Sequence, residues 1–167
     1  MQLHDIDKER YSKHYKQIFI GVIVILMVVA LSVSTLLIHF IGDEDGNFLL
    51  NLVGVVIGAF IVGGLFRKYR EHDYLREVIY VWDLKQMLNK IYRKQKQIKQ
   101  AMTEGDRTAM VIMNWSYHGS RQLYHLDNNT ITMEELNREM VNLDKLLEQH
   151  GYEIELNEFN ETLLSGY

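Results

Sequence analysis

Asn114, His118, Arg121, Gln122 and His125 recur at spacings of one, three and four, so on a helix they share one polar stripe. Two imidazoles with a guanidinium between them could bind an anion, or a metal ion if acids arrived from another helix. Arg121 repels a cation, however, and spacing alone fixes no acid nearby. The reading adopted is a polar face that touches a partner; a membrane-tethered enzyme using His118 and His125 is the alternative. The sequence holds no phosphate-binding glycine loop, zinc-protease helix signature or nucleophile elbow. No catalytic residue, metal ligand, cofactor or small-molecule substrate is expected.

A second group of chemistry-bearing residues lies in strongly apolar surroundings. Ser32, Thr35 and His39 fall within about 60° of one another on a helical wheel, and Asn51 opens the next apolar run at a similar depth. Ionisable groups inside a membrane are functional candidates by default. They would suit a small oligomeric pore or an ion-responsive element. The plainer alternative, interhelical hydrogen bonds worth about 0.6 kcal/mol each, is adopted. Two small-residue pairs follow, Gly54-x-x-x-Gly58 and Ala59-x-x-x-Gly63. They lie on faces about 140° apart. One face could receive a helix of the same chain and leave the other for a second copy.

These residues need elements to position them. The runs Ile18–Ile41 and Phe48–Phe66 are almost wholly apolar. As helices they reach about 36 Å and 28 Å, against a hydrocarbon core of about 30 Å. Within lipid each backbone polar group must be satisfied inside its own segment, which selects helices. Lys8, Arg10, Lys13 and Lys16 precede the first run, and Arg67, Lys68 and Arg70 follow the second, whereas the turn between them holds three acids and no cation. The distribution of cations predicts both termini on the cytoplasmic side.

Beyond the spans the chain divides by charge. Residues 67–100 carry ten Lys/Arg against four Asp/Glu, and residues 101–167 carry four against twelve. Val81, Leu84, Leu88, Ile91, Gln95, Ile98 and Met102 make a helical seam. Asp106 can cap a second helix over about 106–126, apolar on more than one face. Thr132-x-x-Glu135 reads as a capping box for a third helix that ends at Gly151. Lipid, nucleic acid and the chain's own acids compete for the cations of the first helix, and pairing with the chain's own acids is the reading adopted. The whole soluble part is net acidic, so nucleic acid is not expected. Proline and cysteine are absent. Their absence favours helix and excludes disulfides and thiolate metal sites.

Ile6-Asp7-Lys8 with Tyr11 and His14, Asn47-Phe48-x-Leu50-Asn51-x-x-Gly54, Tyr80-Val81-Trp82-x-Leu84-Lys85-Gln86, Asn89-Lys90-Ile91-Tyr92-Arg93-Lys94 and Gly119-Ser120-Arg121-Gln122-Leu123-Tyr124 carry a resemblance over nearly the whole chain. It resembles a bacterial two-pass membrane family known as domain of unknown function 3087, found mostly in gammaproteobacteria. The resemblance implies an inner-membrane setting and supplies no activity.

The expected protein is all-α, a two-helix transmembrane hairpin with a cytoplasmic three-helix bundle whose first helix is long. Its parts are a cytoplasmic N-terminal segment (1–17), two spans (18–41 and 48–66), an external acidic turn (42–47), a helical domain (67–151) and an acidic tail (152–167). Its expected partners are the lipid bilayer and a bound protein or further copies of itself, as a scaffolding module would have.

Overall fold

The computed structural model describes residues 1–43 and 46–167 and is all-helical, with no strand among them. Glu44 and Asp45, part of the expected acidic turn, lie outside the described residues. The α-helices are α1 (Lys8–Ile41), α2 (Phe48–Lys68), α3 (Arg76–Thr103), α4 (Arg107–Leu126) and α5 (Met133–His150). Two 3-10 turns follow at Leu156–Glu158 and Glu161–Gly166. The chain forms two compact units, one of residues Glu9–Ile79 and one of Met1–Lys8 with Tyr80–Tyr167.

The first unit is the hairpin. α1 and α2, 34 and 21 residues long, are each long and apolar enough to cross a membrane. They approach most closely at Gly54, where an added Cβ would lie 2.7 Å from the Ala30 carbonyl oxygen and 3.1 Å from the Ser34 nitrogen. Only a residue without a side chain permits that approach. α2 ends at Lys68, and residues 69–75 are turns before α3 begins. α3 is therefore a helix separate from α2.

The second unit is built around α4. Asp106 caps it as expected, its carboxylate accepting from the Thr108 and Ala109 N–H groups at 2.7 and 3.4 Å. Ala109–Met113, Trp115, Tyr117, Gly119 and Leu126 are all buried. α3 turns Val81, Leu84, Met87, Ile91, Ile98 and Met102 inward. Leu88, expected in this seam, is only half-buried, and Met87 takes the inward place. α5 contributes Leu136 and Leu143, and Gly151 ends it at φ +65°, the left-handed conformation that suits glycine. The expected Thr132 capping box does not form, because Thr132 adopts helical backbone angles and its hydroxyl makes no cap.

Two segments must be reassigned. Residues 152–167, expected as an acidic tail beyond the helical domain, contribute to the core: Phe159 stacks on Trp115 with ring centroids 4.3 Å apart, and Leu164 is buried. The tail's acids meet cations, Lys90 with Glu161 at 2.6 Å and Arg107 with Glu158 at 2.8 Å. Lys94 donates to the Leu164 carbonyl at 2.8 Å. Residues 1–8, expected as part of a separate N-terminal segment, also lie on this unit, with Met1 and Leu3 packed against its core.

Phe159→Ala is therefore expected to cost about 3–5 kcal/mol, and Lys94→Ala about 1–2 kcal/mol through loss of charge-assisted bonds to the tail. Exposed Lys96, with no such bond, should change stability by less than about 0.5 kcal/mol on conversion to alanine. Denaturant unfolding of the full chain in detergent measures all three. A Phe159→Ala variant as stable as the parent would show that the tail is not part of the core.

Candidate functional site

α3, α4 and α5 bound an open cleft of about 410 Å³. Its lining includes Tyr92, Gln95 and Lys99 from α3, Tyr117, Ser120 and Tyr124 from α4, Thr132 just before α5, and Glu135 and Glu139 from α5. Glu139 Oε2 joins the three helices. It accepts from the Tyr117 hydroxyl at 2.8 Å and pairs with Lys99 Nζ at 3.0 Å. Burial would raise the Glu139 carboxyl, but the bonds from Lys99 and Tyr117 outweigh it and hold the group below the usual carboxylate range. Burial first, and then the neighbouring carboxylate, push the Tyr117 phenol far above its ordinary value. Tyr117 thus stays a neutral donor at any ordinary pH.

Since Glu139 neutralises Lys99, the cleft is not a strong site for a free anion. Among the described residues the Thr132 hydroxyl is buried without a hydrogen-bond partner. Tyr92 lines the cleft and is 73% exposed.

The stripe Asn114, His118, Arg121, Gln122 and His125 is divided by its surroundings. Gln122 turns to residues 1–8, accepting from the Tyr80 hydroxyl at 2.9 Å and donating to the His4 carbonyl. The His4 N–H in turn donates to Tyr80 at 2.9 Å, and Lys8 donates to Asn128 at 2.6 Å. Leu3 packs beside Gly119. His118 is half-buried; burial, then Arg121, lower its pKa against a weaker opposing pull from Asp144. Asn114 is half-buried, while Arg121 and His125 are exposed. Among the described residues no three His, Asp or Glu side chains come close enough to hold a metal ion.

In the hairpin the polar residues pair differently from the expected cluster. The Ser34 hydroxyl, buried, donates to the Asn51 side-chain carbonyl, whereas Ser32, Thr35 and His39 are exposed on another face of α1. The expected grouping of Asn51 with those three is corrected. Ser34 lies about 100–160° around the wheel from them, on the face that meets α2 at Gly54. Gly58 shares that interface, an added Cβ there lying 3.5 Å from the Leu26 carbonyl oxygen. Ala59 and Gly63 are exposed, and nothing lies within 4 Å of a Cβ at Gly63.

Sequence reasoning missed a polar clasp within the same unit. His14 Nδ1 lies 3.1 Å from Glu77 Oε2, and Arg10 Nε lies 2.9 Å from Glu77 Oε1. The His14 ring stacks 4.1 Å from Tyr74, whose hydroxyl donates to Gln17. The available signal was the recurrence of Arg10, His14 and Gln17 at helical spacing, with acid and tyrosine supplied from residues 74–77.

A family model described as "Protein of unknown function (DUF3087)" matches residues 1–164. No curated protein and no solved structure matches.

The unequal spacing at the two glycines gives a direct test of the hairpin interface. Gly54→Ala should force α1 and α2 apart, because its methyl would meet main-chain atoms, at a cost of about 1–3 kcal/mol. Gly58→Ala meets ordinary contact distances and should be neutral within about 0.5 kcal/mol. Unfolding in detergent, followed by the efficiency of a disulfide engineered between the helices, reads both. Equal effects at the two positions would refute the interface.

Proposed function

The chain belongs to the DUF3087 family, and on that footing we propose that it is a bacterial inner-membrane protein whose hairpin anchors a cytoplasmic helical domain that binds another protein. The helix lengths and the placement of Lys and Arg on both flanks support the anchor and its orientation. A further support comes from the packing of residues 1–8 on the same unit as residues 80–167. Two segments that precede and follow the spans can share a core only when both are on one side of the membrane. That requires an even number of crossings.

The observation that carries the binding role is the outer face of α3. Lys85, Lys90 and Lys99 are paired with Asp127, Glu161 and Glu139, and Lys94 is bonded to the tail. Arg93 and Lys96 form no ion pair among the described residues and stand exposed, with Trp82 64% and Tyr92 73% exposed on the same helix. Tryptophan, tyrosine and arginine are the residues that most often dominate protein interfaces. Exposed aromatics beside free cations suit an acidic segment of a partner protein. The role is that of an assembly or scaffolding factor.

Single cysteines introduced into this cysteine-free chain at Asp5, Asp43 and Tyr167 test the orientation. A membrane-impermeant maleimide applied to intact spheroplasts should label Asp43→Cys alone. Labelling at Tyr167→Cys instead would invert the topology.

A photo-crosslinking residue at Tyr92, in native membranes, tests the binding face. One protein adduct should form, and its yield should fall about tenfold, a loss of about 1.4 kcal/mol, when Lys96 and Arg93 are both changed to Glu. An adduct insensitive to that charge reversal, or equally strong from Val141 on α5, would sink the assignment.

A further inference from the structure

The hairpin unit holds a second recess, of about 510 Å³, that no part of the reading above uses. Ile18, Gly21, Val22 and Ile25 form one wall at helical spacing on α1, and Leu65, Phe66 and Tyr69 form the other at the end of α2. His72, Tyr74 and Leu75 close one end. The α1 wall runs about 10 Å along the helix. Gly21 leaves the groove open, since nothing lies within 4 Å of a Cβ built there.

The groove is apolar throughout. Beside it the Lys68 ammonium lies 5.5 Å from the centroid of the Tyr69 ring, on the groove wall. Arg67 is exposed one residue earlier. The flanking segments 9–17 and 67–79 carry seven Lys/Arg against four Asp/Glu. Two of those acids are already engaged within the unit, Asp73 by Arg76 and Glu77 by Arg10.

We propose that this groove is a specific site for one anionic phospholipid, an acyl chain lying between α1 and α2 with the phosphate at Lys68 and Arg67. The proposal rests on the membrane anchor argued above. Bulk lipid tails are as apolar as the groove wall, so burial of the chain alone gives no preference over the surrounding bilayer. Selectivity comes from the head group. A basic pocket between membrane helices on the cytoplasmic side recognises anionic heads, and each cation there is worth about a fivefold change in preference. The groove contributes position, because a chain lodged at Gly21 holds its own phosphate near Lys68. A zwitterionic head carries a compensating amine and gains little. A second copy of the chain, the competing occupant, would place its own cations against these and is disfavoured by repulsion.

The test uses the full chain, extracted in mild detergent and offered equal amounts of phosphatidylglycerol and phosphatidylcholine, with retained lipid counted by native mass spectrometry. The parent chain should hold one phosphatidylglycerol in about 25-fold preference, about a fivefold factor from each of the two cations. Gly21→Leu fills the groove from a position with free space around it, and should reduce retention of both lipids about tenfold at an unchanged melting temperature. Should that variant misfold, Ile25→Trp fills the same groove from the same wall. Arg67→Gln with Lys68→Gln should make the two lipids equal while leaving a lipid bound. Equal retention of the two lipids by the parent, undiminished phosphatidylglycerol in a folded groove-filling variant, or a protein dimer in place of the lipid would each overturn the proposal. Alkaline extraction of membranes separates the two levels. A chain released by alkali removes the anchor and the groove together, whereas a chain that stays, with groove-filling variants that bind lipid normally, removes the groove alone.

Discussion

A helical stretch that is buried all round needs more cover than two neighbouring helices can give, and the first half of α4 holds such a stretch. Ala109, Met110, Val111, Ile112 and Met113 are consecutive and all inside, so together they span every direction of the wheel. A neighbour lends one stripe a little over 100° wide. α3 and α5 therefore leave faces of α4 uncovered, and the chain covers them with what remains. Phe159 and Leu164 of the tail take one place, stacking on Trp115. Leu3, from the opposite end of the sequence, takes another beside Gly119. The tail and the N-terminal residues are thus structural consequences of how apolar α4 is.

The same demand explains the charge distribution. The basic α3 and the acidic residues after it do pair, and the acids come from three places. Glu139 of α5 takes Lys99; Asp127 of the turn after α4 takes Lys85; Glu161 of the tail takes Lys90. Exposed pairs of this kind are worth about 0–1 kcal/mol each, too little to fold the tail against its own entropy. They fix its direction once Phe159 and Leu164 have entered the core. The tail's Tyr167 hydroxyl on Asp106 works likewise, at 2.8 Å from a carboxylate that already caps α4.

What was legible in the sequence followed periodicity and end signals. The two long apolar helices, the Asp106 cap, the Gly151 stop and most of the α3 seam could be read because each depends on residues close together in the chain. The candidate site was legible only in pieces. A helical wheel groups Ser32, Thr35 and His39 correctly as neighbours, but it cannot say which face meets α2. That choice belongs to Gly54, whose missing side chain draws in the face bearing Ser34. The stripe on α4 was likewise read as one surface, whereas Gln122 is claimed by His4 and Tyr80, 118 and 42 positions away. The cleft depends on three helices meeting at Glu139, and no local signal marks such a junction.

The contacts of residues 1–8 are also the ones the chain can lose most cheaply. They include half-buried Met1 and Leu3, hydrogen bonds at His4, and a bond from Lys8. The core beneath them is closed by α3, α5 and the tail. Loop-closure entropy grows only slowly with the intervening length, so the long separation from α4 does not itself forbid docking. It makes docking late, since Gly119 and Tyr80 must be in place before Leu3 and His4 have anything to meet. Segments with few buried apolar contacts open first under native conditions. Residues 1–8 are therefore expected to open before the core of this unit, and Gln122, Tyr80 and the space beside Gly119 are what they would uncover.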